Sequence, residues 1–288
     1  MNNNYFPNPE YKETARQAVL IAGASLVHEG HPDRNEDSFV VDPSIALMGA
    51  FDGVGGYRGS EEASRTAARV VQQLCQVAPA VAEPKDAEAM LKGALVTAHQ
   101  AILDLGHRKI GTTAAIAKVF HDQAGKPYIG VASVADARIY RYRQGQLDFL
   151  SYDKGRQFDE ASPKTINRQH NLAHVANTED LLALSGTSQA AFRHRNIIAS
   201  MMGQTDGLPT ITTHSEPLED GDIILTVSDG IHDNLTDAEI AKIVAEAGSA
   251  DEAVTQLTWA ARLRSRDNSH LRAKPDDMTA VALYYNAA

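Results

Sequence analysis

The sequence predicts an α+β protein in which antiparallel sheets are covered by helices. Apolar residues have strand-like spacing near the start of the chain, in its middle and at its end, and helical spacing between these parts. Strands therefore occur in groups, whereas a parallel sheet requires strands and helices to alternate. The 288 residues are 43% hydrophobic and 22% charged, a composition typical of a globular protein with enough apolar material for a core.

The elements of the first half follow from this spacing. Apolar, strand-like sequence begins at Ala18, and a hairpin is expected from strands over 38–41 and 45–51. Helical spacing then predicts one helix over 63–74, with Ser60 as its N-cap, and a second over 87–102.

The second half repeats the order of strands, then helices, then a strand. The expected strands are 112–119, 128–134, 138–143, 147–150, 222–227 and 278–285. Helices are expected over about 236–247 and 250–265, between the last two strands. This order predicts a single domain over 17–286, preceded by a polar extension over 1–16.

Residues 151–195 form the least regular stretch of the predicted domain. The segment is polar with scattered short apolar runs, so we expect a variable insertion or flap. A lid or substrate loop and a plain peripheral subdomain both remain open at this stage.

Charge and composition limit the classes of partner. A net charge of −10 argues against nucleic acid, because phosphate backbones are bound by basic surfaces. The N-terminus has no basic segment followed by an apolar one, and the apolar run 18–27 is too short to cross a bilayer. We therefore expect a cytoplasmic protein with no membrane partner. Cys75 is the only cysteine, which excludes an intramolecular disulfide, and both Cys75 and Trp259 are expected in the core.

Two apolar runs end in an Asp-Gly pair, Asp52-Gly53 and Asp229-Gly230. A single pair of this kind is usually a turn. Two pairs, each at the end of a strand, instead indicate a site assembled from distant parts of the chain. Glycine allows the backbone to approach a neighbouring group closely.

Two further aspartates lie directly before strands, Asp37 and Asp276. If all four carboxylates converge, their like charges must be relieved by protonation or by cations. Oxygen ligands without His or Cys favour Mg²⁺ or Mn²⁺. A pair of such ions about 3.5–4 Å apart would activate a water for in-line attack on phosphorus.

Six segments, taken in order, resemble the successive motifs of the metal-dependent PPM, or protein phosphatase 2C, family of bacterial type. They are Arg34-Asn35-Glu36-Asp37-Ser38, Asp52-Gly53-Val54-Gly55-Gly56, Gly111-Thr112-Thr113-Ala114, Ala135-Asp136-Ala137-Arg138, Ser228-Asp229-Gly230 and Asp276-Asp277-Met278-Thr279. The order of the set is specific, although no segment is specific alone, and the resemblance spans about 20–285. It implies a four-layer αββα sandwich and a serine/threonine phosphoprotein phosphatase that uses two or three Mn²⁺ or Mg²⁺ ions between the sheet edges.

The resemblance also implies roles for individual residues. Asp52 would bridge two metal ions, and the carbonyl of Gly53 would bind one of them. Asp229 and Asp276 would hold the ion on the other side and complete the catalytic set with Asp52. The remaining expected contacts are Asp37 as a ligand, Glu36 through water, and Asp136 at a third ion.

The sequence departs from the family pattern in three places. The family usually has an arginine five residues before Asp37, where it holds the substrate phosphate, but this chain has Pro32. His31 and Arg34 are the nearest cationic candidates for that task. Val54 stands where some members have a histidine proposed as general acid, and Ala135 stands where the usual motif has glycine.

The expected function is hydrolysis of phosphoserine and phosphothreonine on proteins phosphorylated by a serine/threonine kinase. The missing arginine keeps a second class open, a non-catalytic module that retains the fold and binds without turnover. A phosphatase for a small phosphorylated metabolite is the third alternative.

Overall fold

The structure is a computed structural model that describes residues 19–28, 30–54, 59–107, 110–151, 180–183, 186–193, 198 and 200–287. The strands within these residues are β1 Val19–Leu26, β2 Ser38–Asp42, β3 Leu47–Phe51, β4 Gly53–Val54, β5 Gly111–Thr112, β6 Ala114–His121, β7 Pro127–Val134, β8 Arg138–Arg143, β9 Gln146–Phe149, β10 Ile211–Pro217, β11 Ile223–Val227 and β12 Met278–Tyr285. The helices are α1 Ser60–Val77, α2 Pro84–Asp104, α3 Gly186–Arg193, α4 Asp229–His232, α5 Asp237–Glu246 and α6 Ala250–Ser265.

Two five-stranded antiparallel sheets form the centre of the fold. The first has the order β1-β12-β11-β8-β9, and the second has the order β10-β7-β6-β3-β2. A separate two-stranded ribbon, β4-β5, continues from the end of β3. Each sheet therefore combines strands that are distant in sequence.

Apolar residues fill three layers between the elements. Met48 and Ile224 belong to the layer between the two sheets, which they enter from opposite sides. Their chain neighbours Leu47 and Leu225 point the other way and pack under the helices, as the period of two in a strand requires. Helices α1 and α2 cover one sheet, and α4, α5 and α6 cover the other. This arrangement confirms the predicted α+β fold with four αββα layers.

Several local predictions need correction. Helix α1 is capped by Gly59, which has a φ of 113°, and Ser60 is its first helical residue. The predicted strand 112–119 is interrupted at Thr113, whose amide bonds the carbonyl of Asp52 instead of a ladder partner. Trp259 is 46% exposed and not a core residue, whereas Cys75 is buried as expected.

Two strands were not predicted from the sequence, the short strand β4 and the longer strand β10. Strand β10 pairs with β7 along its whole length but contains mostly polar residues that are exposed or half-buried. An edge strand of this kind lacks the apolar run by which a strand is recognised in sequence.

Two predictions concern segments outside the described residues. The polar extension over 1–16 lies there entirely, as does most of the insertion over 151–195. The domain boundaries therefore stay predictions. No helix in the described ranges combines the length and apolarity needed to cross a membrane.

Close backbone contacts join neighbouring strand ends within each sheet, and glycines make them feasible. The amide of Gly53 donates to the carbonyl of Glu36 at 3.1 Å, and a Cβ at position 53 would lie 2.6 Å from that oxygen. A Cβ at position 230 would lie 1.9 Å from the carbonyl oxygen of Asp277. Both Asp-Gly pairs thus need glycine because the chain passes directly against another strand-end segment.

Replacing Gly230 by alanine should destabilise the fold by about 3 kcal/mol, because the new methyl group collides with rigid backbone. The exposed helical Gly93 is the matched control, since a Cβ there meets nothing within 4 Å. Gly93→Ala should stabilise the protein by ~0.5–1 kcal/mol through helix propensity. Urea unfolding of both variants measures the two effects. Equal stabilities would contradict the close approach at Gly230.

Candidate metal centre

The predicted carboxylates lie at strand ends that the sheet registers bring together. In one sheet Ser38 pairs with Phe51, so Asp37 and Asp52 are next to each other at one sheet edge. In the other sheet Val227 pairs with Ala280, so Asp229 and the segment around Asp276 meet in the same way. Antiparallel pairing therefore turns four distant sequence positions into two adjacent pairs.

Hydrogen bonds between the sheets then join the two pairs. The hydroxyl of Ser228 donates to Asp37 Oδ2 at 2.8 Å and accepts from the amide of Thr279 at 3.0 Å. The carboxylate of Asp277 accepts from the amides of His28 at 2.5 Å and Glu36 at 2.7 Å. Asp277 therefore holds the loop before β12 against the segment that carries Asp37.

Asp52 lies at the centre of the cluster. Its carbonyl accepts from the amide of Thr113 and from the hydroxyl of Thr112, both at 2.8 Å, so the end of β3 is held in place. Burial raises the pKa of the Asp52 carboxyl well above its ordinary value, and the charges of Asp37 and Asp229 raise it further. Asp276 and Asp136 contribute in the same direction. Asp37, Asp229, Asp276 and Asp136 thus all raise the pKa of Asp52.

Asp136 and Asp229 form the opposite side of the cluster. Asp136 lies in the turn between β7 and β8, where Ala135 adopts a φ of 66°, a left-handed conformation that favours glycine. Burial, and then the charge of Asp229, raises the pKa of Asp136 to about 7. Burial also raises the pKa of Asp229 to about 6, although Lys274 opposes this rise.

Lys274 lies among three carboxylates of this side. Its Nζ contacts Asp229 Oδ2 and lies 3.0 Å from Asp233 Oδ2 and 3.0 Å from Asp276 Oδ2. Burial alone would lower the pKa of Lys274, but the three carboxylates raise it well above its usual value. The ammonium group therefore partly neutralises the cluster.

Sequence reasoning missed Asp233 and Lys274. Asp233 is 2% exposed, and it follows Asp229 by four residues, so the two carboxylates share one face of a helical turn. That spacing is the signal that would have found Asp233. Lys274 gives no comparable signal, because a lysine two residues before an Asp-Asp pair is ordinary in a surface loop.

The donor chemistry of the cluster fits a hard divalent cation. Asp37 Oδ1 and Asp229 Oδ1 are buried and have no hydrogen-bond partner, which is costly for a carboxylate unless a cation is bound. As the side chains now stand in the described ranges, no three of the His, Cys, Asp or Glu residues form a group that could hold a metal ion. The ammonium of Lys274 already lies among the carboxylates of Asp229, Asp233 and Asp276. Ion binding on this side therefore requires Lys274 to move.

The two candidate phosphate-binding residues lie next to the cluster. Arg34 pairs with Glu36 at 2.8 Å, so the guanidinium is held by the carboxylate that we expected to act through water. The Nδ1 of His31 lies 2.7 Å from the carbonyl oxygen of Arg34 and 3.9 Å from Asp277 Oδ1. Both side chains are about 30% exposed and open to solvent at one end (Arg34 28%, His31 32%). Pro32 is exposed between them.

His232 is a further buried group at the edge of the cluster. Its Nε2 lies 3.0 Å from the carbonyl oxygen of Asp136, and its Nδ1 lies 3.6 Å from Asp233 Oδ1. Burial, and then the charge of Arg138, lowers the pKa of His232 to about 4. A neutral His232 therefore donates from Nε2 and helps to position the turn that carries Asp136.

The sequence matches no protein-family model and no curated protein. The structure is nevertheless similar to solved bacterial phosphatases. The serine/threonine phosphatase PstP/Ppp of Mycobacterium tuberculosis is 21% identical, with a TM-score of 0.68 over 93% of this chain and 99% of that chain. The serine/threonine phosphatase of S. agalactiae is 22% identical, with a TM-score of 0.67 over 93% of this chain and 100% of that chain.

Two other similar structures carry further information in their descriptions. The catalytic domain of PstP in complex with two manganese ions is 19% identical, with a TM-score of 0.62 over 93% of this chain and 99% of that chain. PppA, a regulatory component of the T6SS in Pseudomonas aeruginosa, is 18% identical, with a TM-score of 0.64 over 92% of this chain and 96% of that chain. This chain therefore has the fold of the PPM-type serine/threonine phosphatases.

Proposed function

We propose that this protein is a metal-dependent phosphatase that hydrolyses phosphoserine and phosphothreonine on proteins. The observation that carries the proposal is the convergence of Asp37, Asp52, Asp136, Asp229 and Asp276 where the two sheets meet. A cluster of buried and half-buried carboxylates is destabilising by itself, so its presence is best explained by cation binding.

The fold of the similar structures supports the same proposal. Those proteins are described as serine/threonine phosphatases, and one of them was solved with two manganese ions. Mn²⁺ and Mg²⁺ are also the ions that an all-oxygen set of ligands favours. We therefore propose Mn²⁺ or Mg²⁺ as the cofactor and a phosphoprotein, made by a serine/threonine kinase, as the substrate.

In this proposal the carboxylates divide between two sides of the metal centre. Asp52 interacts electrostatically with Asp37 and Asp229, and the family resemblance implies that its carboxylate and the Gly53 carbonyl would hold the ions. Asp229 and Asp276, together with Asp233, would hold the opposite side. When bound, the ions supply an activated water and neutralise charge on the phosphoryl group.

The remaining residues hold the site and the substrate. Asp277 and Ser228 fix the distance between the two carboxylate pairs through their hydrogen bonds to backbone and to Asp37. Arg34 is the candidate for binding the phosphate, because a guanidinium forms two parallel hydrogen bonds with phosphate oxygens. To bind phosphate, Arg34 must first break its ion pair with Glu36. Val54 has no proton to donate, so the leaving group takes its proton from water.

The non-catalytic module remains the rival function. Two observations favour it, the absence of an arginine at Pro32 and the pairing of Arg34 with Glu36. A module of this kind would bind a phosphopeptide without releasing phosphate.

Replacing Asp52 by asparagine should lower kcat by about 100-fold or more, since even indirect metal contacts are worth 10–100-fold. Phosphate release from a phosphothreonine peptide at saturating Mn²⁺ measures the loss. The exposed Asp206→Asn is the matched control, because it makes the same chemical change outside the cluster. Turnover that survives both chelation and Asp52→Asn would contradict the metal-dependent mechanism.

The wild-type protein should turn over phosphoserine and phosphothreonine peptides faster than small phosphomonoesters at matched concentration. Arg34 and His31 next to the cluster are 28% and 32% exposed, so a phosphorylated side chain of a peptide can reach them. Comparison of kcat/KM for the two substrate classes tests this. Peptide binding without phosphate release would establish the non-catalytic module, and preference for the small compounds would establish a metabolite phosphatase.

The metal-free protein should lose stability as pH rises. Asp136 and Asp229 have folded pKa values of about 7 and about 6, above the ordinary value of 3.8, so the folded state binds more protons. The stability from these groups is complete below pH ~4 and is lost as pH rises through about 6–7. With chelator present, Tm should fall by a few degrees between about pH 5.5 and 8. Mn²⁺ should reduce this fall, because it binds the deprotonated carboxylates.

The matched variants for this measurement are Asp136→Asn and Asp206→Asn. Asp136→Asn should flatten the dependence of Tm on pH, whereas Asp206→Asn should leave it unchanged. A metal-free Tm that rises over this range, or that is insensitive to Asp136→Asn, would show that the cluster does not control stability.

A further inference from the structure

Lys274 occupies the position within the carboxylate cluster that a bound cation would take. Its ammonium group contacts Asp229, Asp233 and Asp276 at once, and its side chain is only 16% exposed. Asp233 is almost completely buried, and the second oxygen of Asp229 has no hydrogen-bond partner. A buried carboxylate oxygen without a hydrogen-bond partner would be satisfied by a cation that binds more ligands than the three hydrogen bonds an ammonium can donate.

The backbone of Lys274 is fixed by a buried amide side chain. Asn234 Oδ1 accepts from the amide of Lys274 at 2.9 Å, and Asn234 Nδ2 donates to the carbonyl of Lys274 at 2.9 Å. The same Nδ2 donates to the carbonyl of Gly230 at 2.8 Å, so Asn234 ties Lys274 to the helix turn that carries Asp229 and Asp233. Asn234 therefore fixes the backbone from which the Lys274 side chain extends to its three carboxylate partners.

An ammonium and a divalent ion differ in what they can satisfy. Lysine has three donors and one positive charge, whereas Mn²⁺ or Mg²⁺ has two charges and about six oxygen ligands. Three carboxylates around a single ammonium still leave excess negative charge, which the divalent ion would remove more completely. Both cations cannot occupy the same space, so one must displace the other.

We propose that Lys274 is a built-in cation that competes with a divalent metal ion for Asp229, Asp233 and Asp276. This inference rests on the proposed function, because it concerns the metal centre of that phosphatase. The lysine partly neutralises this side of the cluster when metal is absent. Metal uptake on this side displaces the ammonium, which then becomes more exposed to solvent. Lys274 thereby sets the affinity of this side of the cluster for the metal ion.

Competition and a purely structural salt bridge predict different changes in metal affinity when Lys274 is removed. If Lys274 only holds the fold together, its removal weakens metal binding or leaves it unchanged. If it competes with metal, its removal tightens metal binding on one side, although the metal-free protein becomes less stable because three carboxylates lose their counter-ion.

The test is calorimetric titration of metal-free protein with Mn²⁺, without substrate, for wild type and Lys274→Met. Methionine keeps the length of the aliphatic stem and removes the charge. We expect one Mn²⁺ site to bind about tenfold or more tightly in Lys274→Met than in wild type. The exposed Lys242→Met on α5 removes an equal charge outside the cluster and should leave both sites unchanged.

The outcomes separate the two proposals. Mn²⁺ binding that is unchanged or weaker in Lys274→Met overturns the competition, while the proposed phosphatase function stands. Failure of every protein to bind Mn²⁺ overturns both. Tighter binding in Lys242→Met as well would show a general effect of charge and would also overturn the specific role of Lys274.

A second measurement uses the wild-type chain alone, so it does not depend on the variant folding. Labelling of Lys274 by an amine-reactive reagent, followed by peptide mass spectrometry, reports how exposed the ammonium is. We expect the labelling rate of Lys274 to rise several-fold on addition of Mn²⁺, while Lys242 labels at a constant rate. An unchanged rate at Lys274 under conditions where Mn²⁺ binds would overturn the displacement.

Discussion

The mutual repulsion of the strand-end aspartates is the constraint on which the rest of the structure depends. Asp37, Asp52, Asp136 and Asp229 each have a raised pKa, because burial and the charges of neighbouring aspartates both disfavour the ionised form. Folding alone would not collect such groups, because each loses hydration while gaining a like charge as neighbour. The fold must therefore provide both a rigid frame that holds the carboxylates together and a cation that relieves them.

The frame is built from backbone contacts rather than from long side chains. The carboxylates lie where β3 and β11 end and where β2 and β12 begin, and the register of each strand pair sets which residues become neighbours. Gly53 and Gly230 permit backbone approaches that any side chain would block. Ser228 and Asp277 then bind across the junction. The Asp-Gly pairs thus combine two tasks, a carboxylate for the site and a glycine for the contact that positions it.

The sequence predicted the layers well, since they depend on local patterns, whereas the metal-binding roles of the carboxylates stay predictions. Strands with both faces buried appear as continuous apolar runs, and helices as repeats every three to four residues. The failures have equally local reasons. Strand β10 is a polar edge strand, so it has no apolar run. The N-cap of α1 is a glycine with positive φ, and not Ser60. Trp259 lies on the outer face of α6, although its neighbours in sequence are apolar. Spacing does not show which face of a helix is covered.

By itself the sequence determined the order of the elements, the acidic residues at their ends and the glycines beside them. The tertiary structure decided which of these residues share a site. Lys274 and Asp233 show the difference most clearly. Asp233 is one turn of helix from Asp229, and Lys274 is forty-five residues away, yet the ammonium of Lys274 contacts both Asp229 and Asp233. Electrostatic contact depends on distance in space, and only the packing of β11 against β12 brings these charges within about 3 Å of one another.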